Sequence, residues 1–454
     1  MEGELEPGAA AIASSIHDLA IRFVRFVWTD NAGLIRAKAV HAPSIGEYVD
    51  GGGVGITPAV QALPVMYDAL SQGSGLTPVG EVHMRADWGT LRPLPYAVGH
   101  ARVFADIYDG DEPWKLCPRG FLRRMIDRAH SVGLSVKAAF EDEFYLLRPE
   151  PNGGWTPVDT SVFAQTSALD RMAVELNAIA EALEAQGLMA EQCYAESGPG
   201  QFEMPIRYAD ALTAADNQVV FRETVRAVAA QHGLIASFLP KIFEERAGTG
   251  AHLHLSVWRG EHNLMGDVER PAELGQEARP FIAGILAHLP ALVAITTPTS
   301  NSFKRIRPRF WSGAFVSWGY GNKEASVRVP PASRYGKPIT NVELKTVDSS
   351  CNPYLAIGAV IAAGLDGMAR GLTLGEPIQL DPADLSPDEQ AAFGISALPS
   401  NLGDAITELE KDAVLAEALG SELLRSFLAV RRAEWEAFRD MPHDEEVKLL
   451  LERY

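Results

Sequence analysis

The stretch VKAAFEDEFYLL, residues Val136–Leu147, sets three acidic residues in an apolar run and predicts a β-strand. Residues two apart share a face of a strand, so Glu141 and Glu143 point to one side and Phe140 and Phe144 to the other. Two carboxylates about 5 Å apart at an effective dielectric near 20 repel each other by roughly 3 kcal/mol. Taken alone, the pattern favours an edge strand with a solvated acidic face.

Two more acidic motifs lie further along the chain. In AESGPGQFEMP, a Gly-Pro-Gly turn between Glu196 and Glu203 folds two short strands back and brings the two acids near each other. In NVELK, Glu343 and Lys345 share a strand face. Taken alone, the first motif also fits a surface hairpin and the second an exposed ion pair.

A histidine motif, GTGAHLHLSV, begins at Gly248. His252, His254 and Ser256 alternate on one face of the predicted strand. The preceding Gly-Thr-Gly lets the backbone approach a ligand closely. Such a face is as consistent with structural histidines as with a binding site.

A basic cluster stands out in an otherwise acidic protein. It lies in residues 301–330 and comprises Lys304, Arg305, Arg307, Arg309, Lys323 and Arg328. A cluster of this kind suits an anionic substrate such as a phosphate or a carboxylate, although a solvated loop explains it equally.

The chain divides into a smaller strand-rich part and a larger mixed part. Apolar alternation predicts strands at Ile21–Trp28, Leu34–Val40 and Val98–Tyr108 in a mostly β domain, residues 1–109, with Asp50–Gly80 as a loop. Helical and strand patterns alternate afterwards, which predicts a larger domain over residues 110–454. Its main helices are predicted at Leu169–Gln186, Asp210–His232, 281–295 and within Asp404–Tyr454. The fold class is α+β.

The formal charge of −19 argues against nucleic acid or an anionic membrane surface as a partner. Three widely spaced cysteines argue against a disulfide framework or a cysteine zinc site. The acidic start lacks the basic and apolar regions of a signal peptide. The apolar windows 281–298 and 354–368 are interpreted as buried helices. A cytoplasmic protein is expected.

Six motifs, in this order, resemble those of glutamine synthetase and its relatives. They are E-D-E-F-Y, E-S-G-P-G-Q-F-E, F-L-P-K, G-T-G-A-H-L-H-L-S, N-S-F-K-R and N-P-Y-L. The resemblance runs from roughly Ile21 to the C-terminal helices. It implies a β-grasp-like N-terminal domain before a glutamine synthetase-type catalytic domain. It also implies a dodecamer of two stacked hexameric rings, with active sites between subunits.

The resemblance also implies metal sites. One ion would be held by Glu143, Glu196 and Glu203, and a second by Glu141, His252 and Glu343. Five carboxylates are then largely neutralised by two divalent cations. Oxygen ligands with one imidazole suit Mg²⁺ or Mn²⁺ better than zinc, with two or three ions in each active site.

The matching positions further imply substrate contacts. Nucleotide-binding positions are Glu191, His254, Ser256, Lys323 and Arg328. Glutamate-binding positions are Ala247, Gly248, Arg305 and Lys345. Arg305 and Arg328 are the expected catalytic arginines, because positive charge stabilises a phosphoryl group in transfer.

The departures from the family pattern concern the amine, the glutamate site and regulation. Six residues after the arginine position, true glutamine synthetases carry a flap glutamate that helps take a proton from ammonium. Here that offset gives Trp311, which offers apolar surface and accepts no proton. Trp318 follows seven residues later and is assigned with it to an amine pocket. Lys345 replaces an arginine, and Ala383 stands where the adenylylation tyrosine would be.

These observations predict an enzyme, an ATP-dependent ligase that joins the γ-carboxylate of L-glutamate to an organic amine through γ-glutamyl phosphate. One alternative is a true glutamine synthetase that uses ammonia. A catalytically silent structural or regulatory member of the family is the other alternative. The complete set of six metal positions argues against silence, because clustered acids without metal are a burden on stability.

Overall fold

The computed structural model describes residues 8–50, 52–151, 153–332 and 336–454, and it contains two large sheets and a set of helices. The α+β class is therefore confirmed. The first seven residues of the predicted N-terminal domain lie outside the described residues.

The first sheet is built from the start of the chain. From one edge to the other its strands are Ile35–His41, Phe23–Thr29, His100–Asp109, Val82–Pro93 and Val54–Ile56, with Glu112–Pro113 pairing with His100–Asp109. The pair Phe23–Thr29 and His100–Asp109 is parallel and the other pairs are antiparallel. The three strands predicted in this region are confirmed to within two residues at each end.

The strand Val82–Pro93 is absent from the sequence-based prediction. Its residues, VHMRADWGTLRP, mix charges and a glycine with apolar side chains, and its register shifts between Asp87 and Arg92. The predicted loop Asp50–Gly80 also contains the short strand Val54–Ile56 and a 3₁₀ turn at Pro58–Ala62. Weak alternation explains why these elements escape a periodicity search.

The main sheet carries the quoted strand, Ser135–Pro149, near its centre. Its path is Trp318–Tyr320, Val327–Val329, Val342–Leu344, Ala251–Arg259, Ser135–Pro149, Gln201–Glu203 and Tyr194–Ala195. Ala209–Asp210, Ile235–Ser237 and Trp155–Pro157 also pair with Ser135–Pro149, and His262–Asn263 pairs with Ala251–Arg259. Phe140, Phe144 and Leu146 are fully buried, so this is a core strand and not the solvated edge strand that the acidic pattern alone suggests.

Long helices pack around the main sheet. They are Pro118–Ser131, Ala173–Glu184, Ala211–Gln231, Ala278–Thr296, Pro353–Arg370 and Ser421–Phe438. Shorter ones are Ala9–Asp18, Ile45–Asp50, Thr166–Arg171, Ser300–Arg305, Pro387–Ala392, Leu402–Lys411, Ala413–Leu419 and His443–Leu450. The predicted single helix Leu169–Gln186 is two helices that meet at Met172. The helical C-terminal region is confirmed.

The helix Ala278–Thr296 is, within the described ranges, the one helix long and apolar enough to cross a membrane, but 72% of its apolar window is buried in the protein. It crosses Pro353–Arg370 very closely. A Cβ at Gly284 would lie 2.2 Å from the Ala363 carbonyl oxygen, and one at Gly367 would lie 2.6 Å from Gly284 Cα. Burial against a second helix is the behaviour of a core helix.

A buried ion network joins the two sheets. Arg119, on the first helix after the N-terminal sheet, pairs with Asp87 at 2.8 Å and Asp106 at 3.0 Å on that sheet. It also pairs with Asp216 of Ala211–Gln231 at 2.9 Å. These contacts tie together the parts of the chain on either side of residue 109. The domain boundary at 109/110 stays a prediction.

Candidate active site

Two cavities open side by side and share one side chain. The larger has a volume of about 470 Å³, the smaller about 340 Å³, and Glu141 lines both. The larger cavity is lined by all six predicted metal ligands, Glu141, Glu143, Glu196, Glu203, His252 and Glu343. The smaller is lined by Glu191, His254 and Ser256. The acidic motifs, separate in sequence, therefore meet at one place.

Strand register produces this meeting. His252 lies directly opposite Glu141, and Glu203 directly opposite Glu143, across antiparallel pairs. Glu343 lies opposite His254 on one neighbour and opposite Arg328 on the other. Directly paired residues hold their Cβ atoms about 5 Å apart, so the sheet brings the functional groups together.

The first group of ligand atoms surrounds Glu141 and Glu343. Glu141, His254 and Glu343 offer atoms that all lie within 4.8 Å of one another. His252 Nδ1 lies 3.3 Å from an oxygen of Glu141 and 3.3 Å from an oxygen of Glu343. Either histidine can thus complete a metal site with these two carboxylates, and the assignment of His252 stays a prediction.

Basic neighbours keep these two carboxylates ionised. Burial raises the pKa of Glu141, but hydrogen bonds to His252 and His254 outweigh it and lower the pKa overall. Burial of Glu343 is likewise outweighed, chiefly by the charge of Lys345, which lowers the pKa of Glu343 to about 2. Arg328 also donates to Glu343 at 2.5 Å.

The second group consists of Glu143, Glu196 and Glu203. Burial, and then the neighbouring charge of Glu196, raise the pKa of Glu143 to about 8. Burial, and then the charges of Glu141 and Glu143, raise the pKa of Glu203 to about 9. Without a cation, the ionised forms of Glu143 and Glu203 are therefore disfavoured near neutral pH, and a bound cation would favour them. An oxygen-rich set with unbalanced negative charge fits Mg²⁺ or Mn²⁺.

Hydrogen bonds orient this second group. Glu143 accepts from the Gly250 N–H and from Gln201 Nε2, each at 2.9 Å. Gln201 Nε2 also donates to the Gly248 carbonyl at 2.9 Å, and the Tyr194 hydroxyl donates to Glu203. The carboxylates are thus fixed in place by the strands that carry them.

The predicted glutamate-binding residues line the same cavity. Arg305 is buried and donates to the carbonyls of Lys345 at 3.2 Å and Val347 at 2.9 Å. Gly248 packs so closely that a Cβ there would lie 2.4 Å from Arg305 Cγ. Only glycine fits at this position, which holds the adjacent backbone of Ala247 against the cavity.

The predicted nucleotide-binding residues divide between the two cavities. In the smaller one, His254 Nδ1 contacts Asn341 Oδ1 at 2.9 Å, and Ser256 accepts from Trp258 Nε1 at 2.8 Å. Lys323 and Arg328 line the larger cavity instead. The shared residue Glu141 stands where the two spaces adjoin.

The two tryptophans assigned to the amine pocket have different positions. Trp311 lines the larger cavity with 54% of its surface exposed, and Lys323 Nζ lies 5.1 Å from its ring centroid. Trp318 is only 3% exposed, donates to the Gly375 carbonyl at 2.9 Å and packs against Tyr320. Trp318 is therefore a core residue, and its assignment to the amine pocket is corrected.

Sequence reasoning missed several residues of the larger cavity. They are Phe163, Tyr194, Ser197, Glu245, Arg246 and Phe310. Two residues that contact the metal ligands had a usable signal, since Tyr194 and Gln201 each lie two positions before a predicted ligand. Phe163 carries no such signal, because it lies in a loop and reaches the cavity beside Tyr194.

The model of the family "Glutamine synthetase, catalytic domain" matches residues 115–450. The chain belongs to the glutamine synthetase family. Type-1 glutamine synthetase 1 of Dictyostelium discoideum is 34% identical over 96% of this chain and 90% of its own length. The predicted family and its fold are confirmed.

Two solved structures from the family superpose on the chain. One, a "novel glutamine synthase homolog", has a TM-score of 0.84 and 31% identity and covers 100% of both chains. The other, a "GmaS/ADP complex", has a TM-score of 0.84 and 31% identity over 96% of this chain and 98% of its own. As a family member, the chain is an ATP-dependent glutamate ligase of a family that uses a divalent metal.

Proposed function

We propose that this enzyme joins the γ-carboxylate of L-glutamate to an organic amine and converts ATP to ADP and phosphate. The observation that carries the proposal is Trp311, which lines the larger cavity where the family pattern has a proton-accepting glutamate. The residues expected at the metal, nucleotide and glutamate positions line the same pair of cavities, so Trp311 is the departure that bears on the amine.

Glutamate is bound by the basic residues of the larger cavity. Arg305 and Lys345 pair with its carboxylates, while the backbone at Ala247 and Gly248 contacts its main chain. Charge-assisted hydrogen bonds of this kind are about twice as strong as neutral ones. Because Arg305 is already fixed by two backbone carbonyls, its guanidinium needs little ordering when glutamate binds.

ATP occupies the smaller cavity, with its base near Glu191, His254 and Ser256, and its phosphates extend past Glu141. Arg328 and Lys323 then face the γ-phosphoryl group and stabilise its charge as the glutamate γ-carboxylate attacks it. Glu143, Glu196 and Glu203 would hold one Mg²⁺ ion and Glu141, His252 and Glu343 a second, and these ions would supply further positive charge to the phosphates. The GmaS structure with ADP supports nucleotide use.

The amine then displaces phosphate from γ-glutamyl phosphate. Its apolar substituent packs against Trp311 and Phe310, which are both about half exposed in the protein without substrate. Burial of about 40 Å² of apolar surface contributes about 1 kcal/mol, a preference of roughly fivefold over ammonia. Indole accepts no proton from ammonium or from an alkylammonium, so the preference for an organic amine rests on the apolar contact, and the amine attacks in its neutral form.

Ammonia is the second candidate substrate, because relatives such as the Dictyostelium discoideum protein are named glutamine synthetase. Phosphate release with glutamate, ATP and Mg²⁺ separates the two. The panel contains ammonia, ethylamine, ethanolamine, aniline and putrescine, and mass spectrometry identifies each γ-glutamyl product. We expect at least one organic amine to exceed ammonia in kcat/KM. Efficient turnover of ammonia with none of the organic amines contradicts the proposal.

We further propose a cytoplasmic homo-oligomer, a dodecamer with active sites between subunits. The support is family membership. Light scattering on the purified protein should give twelve times the chain mass of 49.1 kDa. A monomer that is fully active at assay concentrations would rule out shared sites.

A further inference from the structure

The loop that carries Trp311 has an unusual backbone. Arg309 has φ of 66° and Trp311 has φ of 54°, in the left-handed region that side chains other than glycine rarely adopt. Among the described residues, four non-glycine positions have positive φ, and this loop holds two of them. Such backbone persists only where the surroundings hold it, and it concentrates at functional sites.

One side chain lies against both strained residues. Glu324 Oε1 accepts a hydrogen bond from the Trp311 N–H at 3.0 Å. The Arg309 N–H lies close to the same carboxylate, so Glu324 faces the backbone on both sides of Phe310. Ser312 supports the base of the loop by bonding to the N–H and the carbonyl of Arg307.

Glu324 is itself anchored to a different segment of the chain. Its N–H donates to Asn322 Oδ1 at 3.0 Å. Asn322 Nδ2 in turn donates to the carbonyls of Ile378 at 2.8 Å and Leu380 at 2.9 Å. The loop is thus tied through two side chains to residues far along the sequence, which makes Glu324 a fixed support.

Glu324 does not belong to the described lining of the larger cavity, whereas Trp311, Phe310 and Lys323 do. We propose that Glu324 is a positioning residue that fixes the Trp311 loop and thereby sets which amine the enzyme selects. This inference rests on the proposed use of an organic amine. In it, Glu324 touches no substrate and acts only through the loop.

The kinetic test compares Glu324→Ala and Glu324→Gln with the wild type on the best organic amine. We expect Glu324→Ala to raise the amine KM about tenfold and Glu324→Gln less, because glutamine keeps one acceptor oxygen. The KM values for ATP and glutamate, and kcat at saturating amine, should stay within twofold. Unchanged amine KM overturns the proposal, and so does a loss of kcat alone, which indicates a proton acceptor.

A matched control removes another carboxylate that contacts the same loop. Asp384 pairs with the exposed Arg309 side chain at 2.8 Å and makes no bond to the loop backbone in the described structure. Asp384→Asn should leave the amine KM within twofold of wild type. An increase equal to that of Glu324→Ala would attribute the effect to charge and contradict the positioning role.

A second measurement does not depend on the amine. The emission difference between wild type and Trp311→Phe isolates Trp311 among the eight tryptophans. Acrylamide quenching of that difference should rise at least 1.5-fold in the Glu324→Ala background, and no change overturns the proposal. If the wild type uses ammonia alone, the proposed function fails. In that case the positioning role of Glu324 is tested with ammonia as the substrate. Glu324→Ala must then still change both the acrylamide quenching and the KM for ammonia.

Discussion

The two sides of the larger cavity are built differently. On one side, Glu143, Glu203 and Glu343 lie on paired strands of the main sheet, buried and hydrogen-bonded. On the other side, Phe310 and Trp311 lie on a loop and are about half exposed. A substitution on the strand side disturbs the packing of the sheet. A substitution of an exposed side chain on the loop side costs little free energy of folding. The proposed function assigns the chemistry common to the family to the strand side and the choice of amine to the loop side.

The largest expected effect comes from the strand side. Glu343 is 1% exposed and contacts His252, Arg328 and Lys345. Glu343→Gln should lower kcat at least about 10³-fold, because it removes a predicted metal ligand and the partner of Arg328 and Lys345. Phosphate release measures it. Glu408→Gln, which breaks an exposed pair with Lys411, is the control. More than a tenth of wild-type turnover would contradict the role of Glu343.

A smaller and more selective effect is expected on the loop side. Trp311→Ala removes apolar surface that contacts the amine substituent, at a cost of about 1–2 kcal/mol, so the amine KM should rise roughly 5–30-fold. The KM values for glutamate and ATP should stay within twofold, and Trp311→Phe should keep most of the affinity. Equal increases in all three KM values would mean that the two sides are not separable.

The strand side also predicts a pH dependence of stability. The raised pKa values of Glu143 and Glu203 mean that the metal-free native protein binds more protons than the unfolded chain above pH 4.5. Linkage then requires the free energy of unfolding to fall as pH rises, through pH 8 to 9. Between pH 7 and 9 the melting temperature of the metal-free protein should drop by several degrees.

Two controls accompany that melting experiment. Saturating Mg²⁺ should flatten the pH dependence, because bound cations replace the protons. The double variant Glu143→Gln/Glu203→Gln should flatten it in the absence of metal. A wild-type melting temperature that rises between pH 7 and 9 would show that these carboxyls are ionised without metal.

The smallest functional effect is expected at Trp318, which lies in the core behind the loop side. Trp318→Phe loses the hydrogen bond to the Gly375 carbonyl and some packing. It should cost about 1–3 kcal/mol in the free energy of unfolding and leave the amine KM unchanged. Urea unfolding and steady-state kinetics measure the two quantities. A raised amine KM would return Trp318 to the amine pocket.

The same contrast explains what the sequence can predict. Glu141, Glu143, His252 and His254 follow a period of two on strands, and the structure places each in the cavities as that period requires. Phe163 lines the cavity from a loop, and a loop has no regular alternation of buried and exposed residues from which its position could be predicted. Trp318 was assigned to the amine pocket from its distance along the chain to Trp311. That distance does not tell which residues of the strand Trp318–Tyr320 are buried.

Larger elements follow the same rule. Strands with clear alternation, such as Phe23–Thr29, were predicted to within two residues. The long strand Val82–Pro93 was missed, because its charged residues and register shift hide the alternation. The proposed role of Glu324 depends on the Trp311 N–H, more than ten residues away, and only a folded structure reveals such a contact.

Glu141 lines both cavities, with one carboxylate oxygen near His252 and the other near His254. A cation bound by Glu141 in the larger cavity would change the electrostatic potential at a nucleotide in the smaller cavity. The nucleotide would in turn change the potential at the cation. Thermodynamic reciprocity makes the two effects equal: whatever factor the metal applies to nucleotide affinity, the nucleotide applies to metal affinity. If the two cavities take the cation and the nucleotide as proposed, this one side chain would couple their binding without any movement of the fold.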